Sequence, residues 1–172
     1  VKPRNTIALF ALLWASSPAF ALDAQVAGAL EQALTCQQAP LDARDDAVKA
    51  LFKANGIVAM DHDEDGLIDL EYHLPQPVEV LGVPISTLWY RGDSGAVFYT
   101  QATGDLAAFV GRTGVQPVPK DDLATSGWGR GQYRKEVGHA SDDTPFPDAF
   151  FVGTDSASPP GTFYFGCQVF DG

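Results

Sequence analysis

Residues 67–101 read LIDLEYHLPQPVEVLGVPISTLWYRGDSGAVFYTQ, and the period of this stretch decides the fold class. From Leu67 to Leu74, Leu67, Asp69, Glu71 and His73 fall on one side and Ile68, Leu70, Tyr72 and Leu74 on the other. A strand points successive side chains to opposite faces, so this pattern predicts a half-buried strand. Pro75 and Pro77 predict a break, because proline cannot donate to a sheet ladder. Val78–Tyr90 is a second β stretch, bent at Gly82-Val83-Pro84, and Ala96–Gln101 a third, rich in Val, Phe and Tyr. Arg91-Gly92-Asp93-Ser94-Gly95 between them is turn chemistry. Strands joined by such short turns pair as antiparallel neighbours.

Working outward, the residues before this stretch have helical period. Ala24–Gln37 places Val26, Ala29, Leu30, Ala33 and Leu34 on one face, and Pro40 closes it. Leu41–Asn55 predicts a second helix with Asp42 as N-cap, a stripe of Ala47, Val48, Leu51 and Phe52, and a stop at Asn55-Gly56. After the strands, Asp105 caps a short helix containing Leu106, Phe109 and Val110 that stops near Gly111. Residues 114–160 are rich in Gly, Pro, Ser and Asp and read mostly as loop, with one strand over Tyr133–Val137. Thr162–Phe170 is a final strand. The expected fold is therefore α+β: an N-terminal helix pair, then a mostly antiparallel sheet of about five strands with helices packed on one face.

The first 21 residues have the parts of a secretory signal peptide in order. Lys2 and Arg4 give the positive start, Thr6–Ala15 the apolar run, and Ala19-Phe20-Ala21 the small-x-small cleavage pattern. The run is shorter than the roughly 20 residues a membrane span needs. The expectation is export to a periplasm or the outside, leaving residues 22–172 as one domain with no membrane span. Loss of Lys2 and Arg4 would take the net charge from −11 to −13. So acidic a body repels phosphate backbones and anionic lipid heads, which excludes nucleic acid and membrane surfaces as expected partners. Cys36 and Cys167 are the two cysteines, and in an oxidising compartment they predict one disulfide. No Cys-x-x-Cys redox motif is present.

One motif points to a ligand. In Asp61-His62-Asp63-Glu64-Asp65-Gly66-Leu67-Ile68-Asp69 alternate carboxylates precede a glycine. The stretch resembles the Asp-x-Asp-x-Asp-Gly loop of EF-hands and the Asp-x-Asp-x-Asp-Gly-x-x-Asp pattern of thrombospondin-type calcium repeats. That resemblance implies a Ca2+ site built from Asp61, Asp63 and Asp65, the Leu67 carbonyl and Asp69, with Gly66 allowing the bend. It departs from the EF-hand in having Tyr72 where the bidentate Glu stands, and the residues that follow alternate like a strand instead of a helix. The competing reading is a solvated hairpin tip, with Ile57–Met60 as the strand before it.

The other constellations carry less. Gly92-Asp93-Ser94-Gly95 resembles the nucleophile signature of chymotrypsin-like serine proteases, but no base and orienting carboxylate accompany it at triad spacing, and turn chemistry explains it. His62, His73 and His139 lack the ligand spacing of a zinc or copper site. Trp128, Arg130, Tyr133 and Arg134 place the aromatic and guanidinium groups favoured at interfaces in loop-rich sequence and form a candidate partner surface. The functional expectation is a small exported, non-enzymatic domain that binds a protein or envelope component, with a calcium-binding module as the alternative.

Overall fold

The computed structural model describes residues 22–63, 66–93, 95–119, 131–138, 146–155 and 158–170. Among the described residues three helices, α1 (Ala24–Leu34), α2 (Asp46–Ala54) and α3 (Leu106–Thr113), accompany eight strands. The strands are β1 (Val58–Asp61), β2 (Ile68–Val80), β3 (Val83–Asp93), β4 (Gly95–Thr103), β5 (Gln116–Pro117), β6 (Tyr133–Val137), β7 (Asp148–Gly153) and β8 (Thr162–Val169). They form one sheet in the order β1-β2-β3-β4-β8-β7-β6-β5, every neighbouring pair antiparallel. Two four-stranded meanders thus meet at the β4–β8 pair, where Phe98 lies opposite Cys167 and Thr100 opposite Phe165.

The sheet therefore has eight strands instead of about five, and the difference lies in residues 114–160. Strand β7 escapes a pattern search because Ala149, Phe150, Phe151 and Val152 are all buried. A strand covered on both faces shows a continuous apolar run and no alternation. Strand β5 is two residues long and contains Pro117, which only an edge tolerates well. Pro75 and Pro77 do not end β2 either. The strand runs through them, and its register against β3 slips between His73 and Val78. The β2–β3 turn is Leu81-Gly82, with φ of 49° and 73°. Positive φ at both central residues is what a tight type I′ hairpin requires.

The helices also depart from expectation. The third lies between β4 and β5 behind its cap Asp105, where a short helix was expected, and it is the bounds of the helices that differ. Helix α2 begins at Asp46 behind Asp45, whose carboxylate accepts the N–H groups of Ala47 (2.8 Å) and Val48 (3.1 Å). Asp42 is instead turned onto the backbone and guanidinium of Arg44. The cause is tertiary: the buried Tyr72 hydroxyl accepts the Ala43 N–H at 3.0 Å and holds that segment out of the helix. Burial pushes the Tyr72 phenol well above its ordinary value, so it stays neutral. Helix α1 ends at Leu34 because Cys36 turns left-handed, at φ 58°. Helix α3 runs on to Thr113 and stops at Gly114, at φ 70°, leaving Gly111 inside it.

All three helices meet the same face of the sheet. Phe52 of α2 packs edge-on to Tyr72 at 4.9 Å, and Phe109 of α3 lies 4.8 and 4.9 Å from Phe163 and Phe165. Helix α1 buries Val26, Leu30, Ala33 and Leu34 in the same core. Directly after it, Cys36 is joined to Cys167 at the centre of the sheet, with the Cα atoms 5.1 Å apart. Among the described residues no helix is long and apolar enough to cross a membrane.

The bridge closes a loop of 131 residues. Replacing Cys36 and Cys167 together by alanine is expected to lower unfolding free energy by up to about 4–5 kcal/mol, the chain-entropy value for a loop of this length. Urea or guanidinium unfolding of the variant against the oxidised parent measures it.

Candidate functional site

The antiparallel registers sort the remaining chemistry. Alternation puts Asp69, Glu71 and His73 of β2, Trp89 and Arg91 of β3, Val97 and Tyr99 of β4, Tyr164 and Gln168 of β8, Phe151 of β7 and Arg134 of β6 on the face away from the helices. A second, smaller apolar cluster sits here: Val97, Tyr99 and Phe151 are buried, with Trp89 and Tyr164 half-buried against them. Trp89 stacks on Tyr99 with ring centres 5.4 Å apart and planes 21° apart, and Tyr99 meets Tyr164 at 6.1 Å, edge to face. Aromatic pairs prefer these offset and T-shaped arrangements. The row crosses β3, β4 and β8, the middle of the sheet.

Gly166 makes the row possible. Opposite Tyr99 in the register, it brings β8 so close to β4 that a Cβ would overlap the Phe98 carbonyl oxygen and lie 2.5 Å from Tyr99 Cα. Sequence reasoning passed over this row because Trp89, Tyr99 and Tyr164 lie in three strands, and only the pairing of β4 with the distant β8 aligns them. Alternation within each strand was the available signal: Trp89 and Tyr99 both fall on the side opposite their strands' main-core residues.

At the β2 border of the row the polar groups are paired. Arg91 donates from Nε to Asp69 Oδ1 at 3.0 Å, and its Nη2 lies 2.8 Å from Oδ2. The Asp69 hydrogen bond raises Arg91 further above its ordinary value against the opposing effect of burial, so the guanidinium stays charged. Glu71 stands between two imidazoles, 2.9 Å from His73 Nε2 and 3.4 Å from His62 Nε2.

The acidic tip is partly drawn together. Asp61 Oδ1 accepts the Asp63 N–H at 2.9 Å, and Asp63 Oδ1 accepts the Asp69 N–H at 2.8 Å. Gly66 has φ 84°, a left-handed bend at the position the calcium-loop pattern requires, and Leu67 is 54 % exposed. Asp65 lies outside the described residues. The structure does not aim Asp69 at the other acids, because both its oxygens are on Arg91. Among the described residues no group of three or more His, Cys, Asp or Glu side chains is arranged to hold a metal ion.

Of the four candidate partner-surface residues, Trp128 and Arg130 lie outside the described residues, as does His139. Tyr133 packs against the main core on the helix side, whereas Arg134, its neighbour on β6, goes to the other face and lies over the Phe170 ring at 5.7 Å. Adjacent residues of a strand cannot share a face, so the structure does not bring these two together. Gly92–Gly95 is the β3–β4 hairpin, with Asp93 paired to Gly95 across Ser94, itself outside the described residues. Gly95, at φ 130°, has no room for a side chain, since a Cβ would lie 2.5 Å from the Val169 oxygen.

Comparison with protein-family models, with curated proteins and with solved structures gives no significant match in any of the three. The functional reading therefore rests on the residues themselves.

Gly166→Ala is expected to destabilise the domain by about 1–3 kcal/mol through overpacking at the β4–β8 contact. Thermal and denaturant unfolding, with near-ultraviolet circular dichroism to follow the aromatic row, check this outcome.

Proposed function

We propose that the chain is an exported, non-enzymatic binding domain that meets a protein or other envelope component through the face of its sheet opposite the described helices. The observation that carries this reading is the row Trp89–Tyr99–Tyr164 across the centre of that face. Large aromatic side chains with guanidinium groups beside them are the residues that anchor protein interfaces. Here Arg91 adjoins the row on β3, the strand that carries Trp89. A net charge of −11 over the whole chain, or −13 without the leader, favours a partner with a basic surface. Export is supported by the signal-like first 21 residues and by the Cys36–Cys167 bridge, which suits an oxidising compartment.

In this reading Trp89→Ala weakens partner binding by at least about tenfold, the cost of losing one central anchor. Lys49→Ala, on the exposed side of α2, leaves binding unchanged. Affinity for the partner captured from envelope extract, measured with both variants and with rising salt, is the test. Equal binding by the parent and Trp89→Ala rejects the aromatic row as the contact.

A second reading, calcium binding at the Asp61–Asp69 tip, is favoured by the left-handed Gly66 and by the Asp61 and Asp63 carboxylates folded over the same turn. It would use Asp61, Asp63, Asp65 and the Leu67 carbonyl, with Asp69 held by Arg91. Millimolar calcium is then expected to raise the melting temperature by several degrees over chelator, by mass action, and Asp63→Ala to abolish the difference. Identical melts in calcium and chelator reject it.

A further inference from the structure

At the β5–β8 end of the face opposite the described helices lies a cleft of about 880 Å3 lined by Gln116, Arg134, Glu136, Phe146, Gln168 and Phe170, among others. Its size falls within the roughly 300–1,000 Å3 of small-molecule sites. The β5–β6 register sets Gln116 opposite Arg134, and the strand pairing brings Gln168 onto the same face. Arg134 Nε is buried and has no hydrogen-bond partner among the described residues. No ion pair involves Arg134 among the described residues, although Glu136 follows two places along the same strand. The guanidinium instead lies over the Phe170 ring.

A buried N–H of a charged group without an acceptor is costly to maintain, and few such groups persist without a purpose. What it lacks is an acceptor. Guanidinium presents its donors in a planar fork that matches the two oxygens of a carboxylate. Phe146, 62 % exposed and 5.5 Å from Phe170, extends an apolar wall beside that fork. The amides of Gln116 and Gln168 add neutral donors. The acidic net charge of the chain does not forbid an anion here, because beyond roughly 8 Å exposed charges are screened at physiological salt. At the cleft Arg134 stands against Glu136 on the same face of β6, while Lys135 alternates to the other face.

We propose that this cleft binds a small carboxylate with an apolar body, its carboxylate on Arg134 and its body against Phe146 and Phe170. A free organic acid and the C-terminal carboxylate of a peptide share this chemistry. The site shares the sheet face of the aromatic row but none of its residues, so neither proposal depends on the other.

The test uses 15N-labelled protein titrated with phenylacetate, with neutral phenylacetamide, and with acetyl-Ala-Ala-Phe and its C-terminal amide. Phenylacetate is expected to shift the backbone amides of Gln116, Gln168 and Phe170 to saturation, and phenylacetamide to bind at least about tenfold more weakly, since it cannot form the charged fork. R134Q is expected to weaken phenylacetate binding at least about tenfold and K135Q less than about twofold, which assigns the charge to one guanidinium. A free-acid site is indicated if phenylacetate binds more tightly than the tripeptide, and a chain-terminus site if the tripeptide binds more tightly and its amide does not. The proposal is overturned if phenylacetate produces no saturable shift at these residues, or if phenylacetate and phenylacetamide bind alike. That comparison is made on the unmodified protein and decides the matter even if R134Q does not fold.

Discussion

The pairing of β4 with β8 holds the molecule together. Each of the two meanders is built from local hairpins, but only this seam makes them one sheet. It joins residues 59 to 73 positions apart and so carries a loop-closure cost that the hairpins do not. Three features offset that cost at the same place. Phe163 and Phe165 of β8 are buried against Phe109 of α3, Gly166 allows the backbones to close, and Cys167 is tied to Cys36 beyond α1. The covalent tie brings the first helix onto the seam, so helix, sheet centre and C-terminal strand form one unit.

This arrangement divides the sheet into two unlike faces. On one, the three helices complete an apolar core in which the few polar groups are satisfied: Tyr72 accepts from Ala43, and Thr100 donates to the Thr87 carbonyl at 2.6 Å. On the other, none of the described helices packs, and aromatic, charged and amide-bearing side chains gather around the buried Val97. Chemistry that could serve recognition collects there because the helices have taken the opposite face. The paired Asp69 and Arg91, the imidazoles about Glu71 and the unpaired Nε of Arg134 all lie on this side of the sheet or at its rim.

Legibility in the sequence follows burial. Strand β2 was readable at its start because one face is buried and the other is not, so its residues alternate. Strand β7 was not, because Ala149 to Val152 are buried on both faces and the period vanishes. The cap of α2 was misplaced by three residues, since Asp42 and Asp45 are chemically equivalent candidates and only the Tyr72 hydroxyl, from a distant strand, separates them. The acidic tip was legible as a motif, but the diversion of Asp69 to Arg91 depends on the β2–β3 register. The aromatic row was only partly legible, since Tyr164 joins Trp89 and Tyr99 through the distant β4–β8 pairing, and the Arg134 cleft was not, since β5 and β7 on either side of Arg134 carry no readable period.

By itself, the sequence determined what local physics controls: the existence of the helices, the hairpin-rich antiparallel character, the sharp turns at glycine and the pair of cysteines to be joined. Tertiary structure alone decided that β8 lies at the centre, that β7 is a strand, and which face each aromatic and charged side chain occupies. The reason is one of range. Backbone propensity and alternation act over a few residues, whereas strand order and register are chosen by burial and closure across as many as 73, the span of the Ala96–Val169 pair.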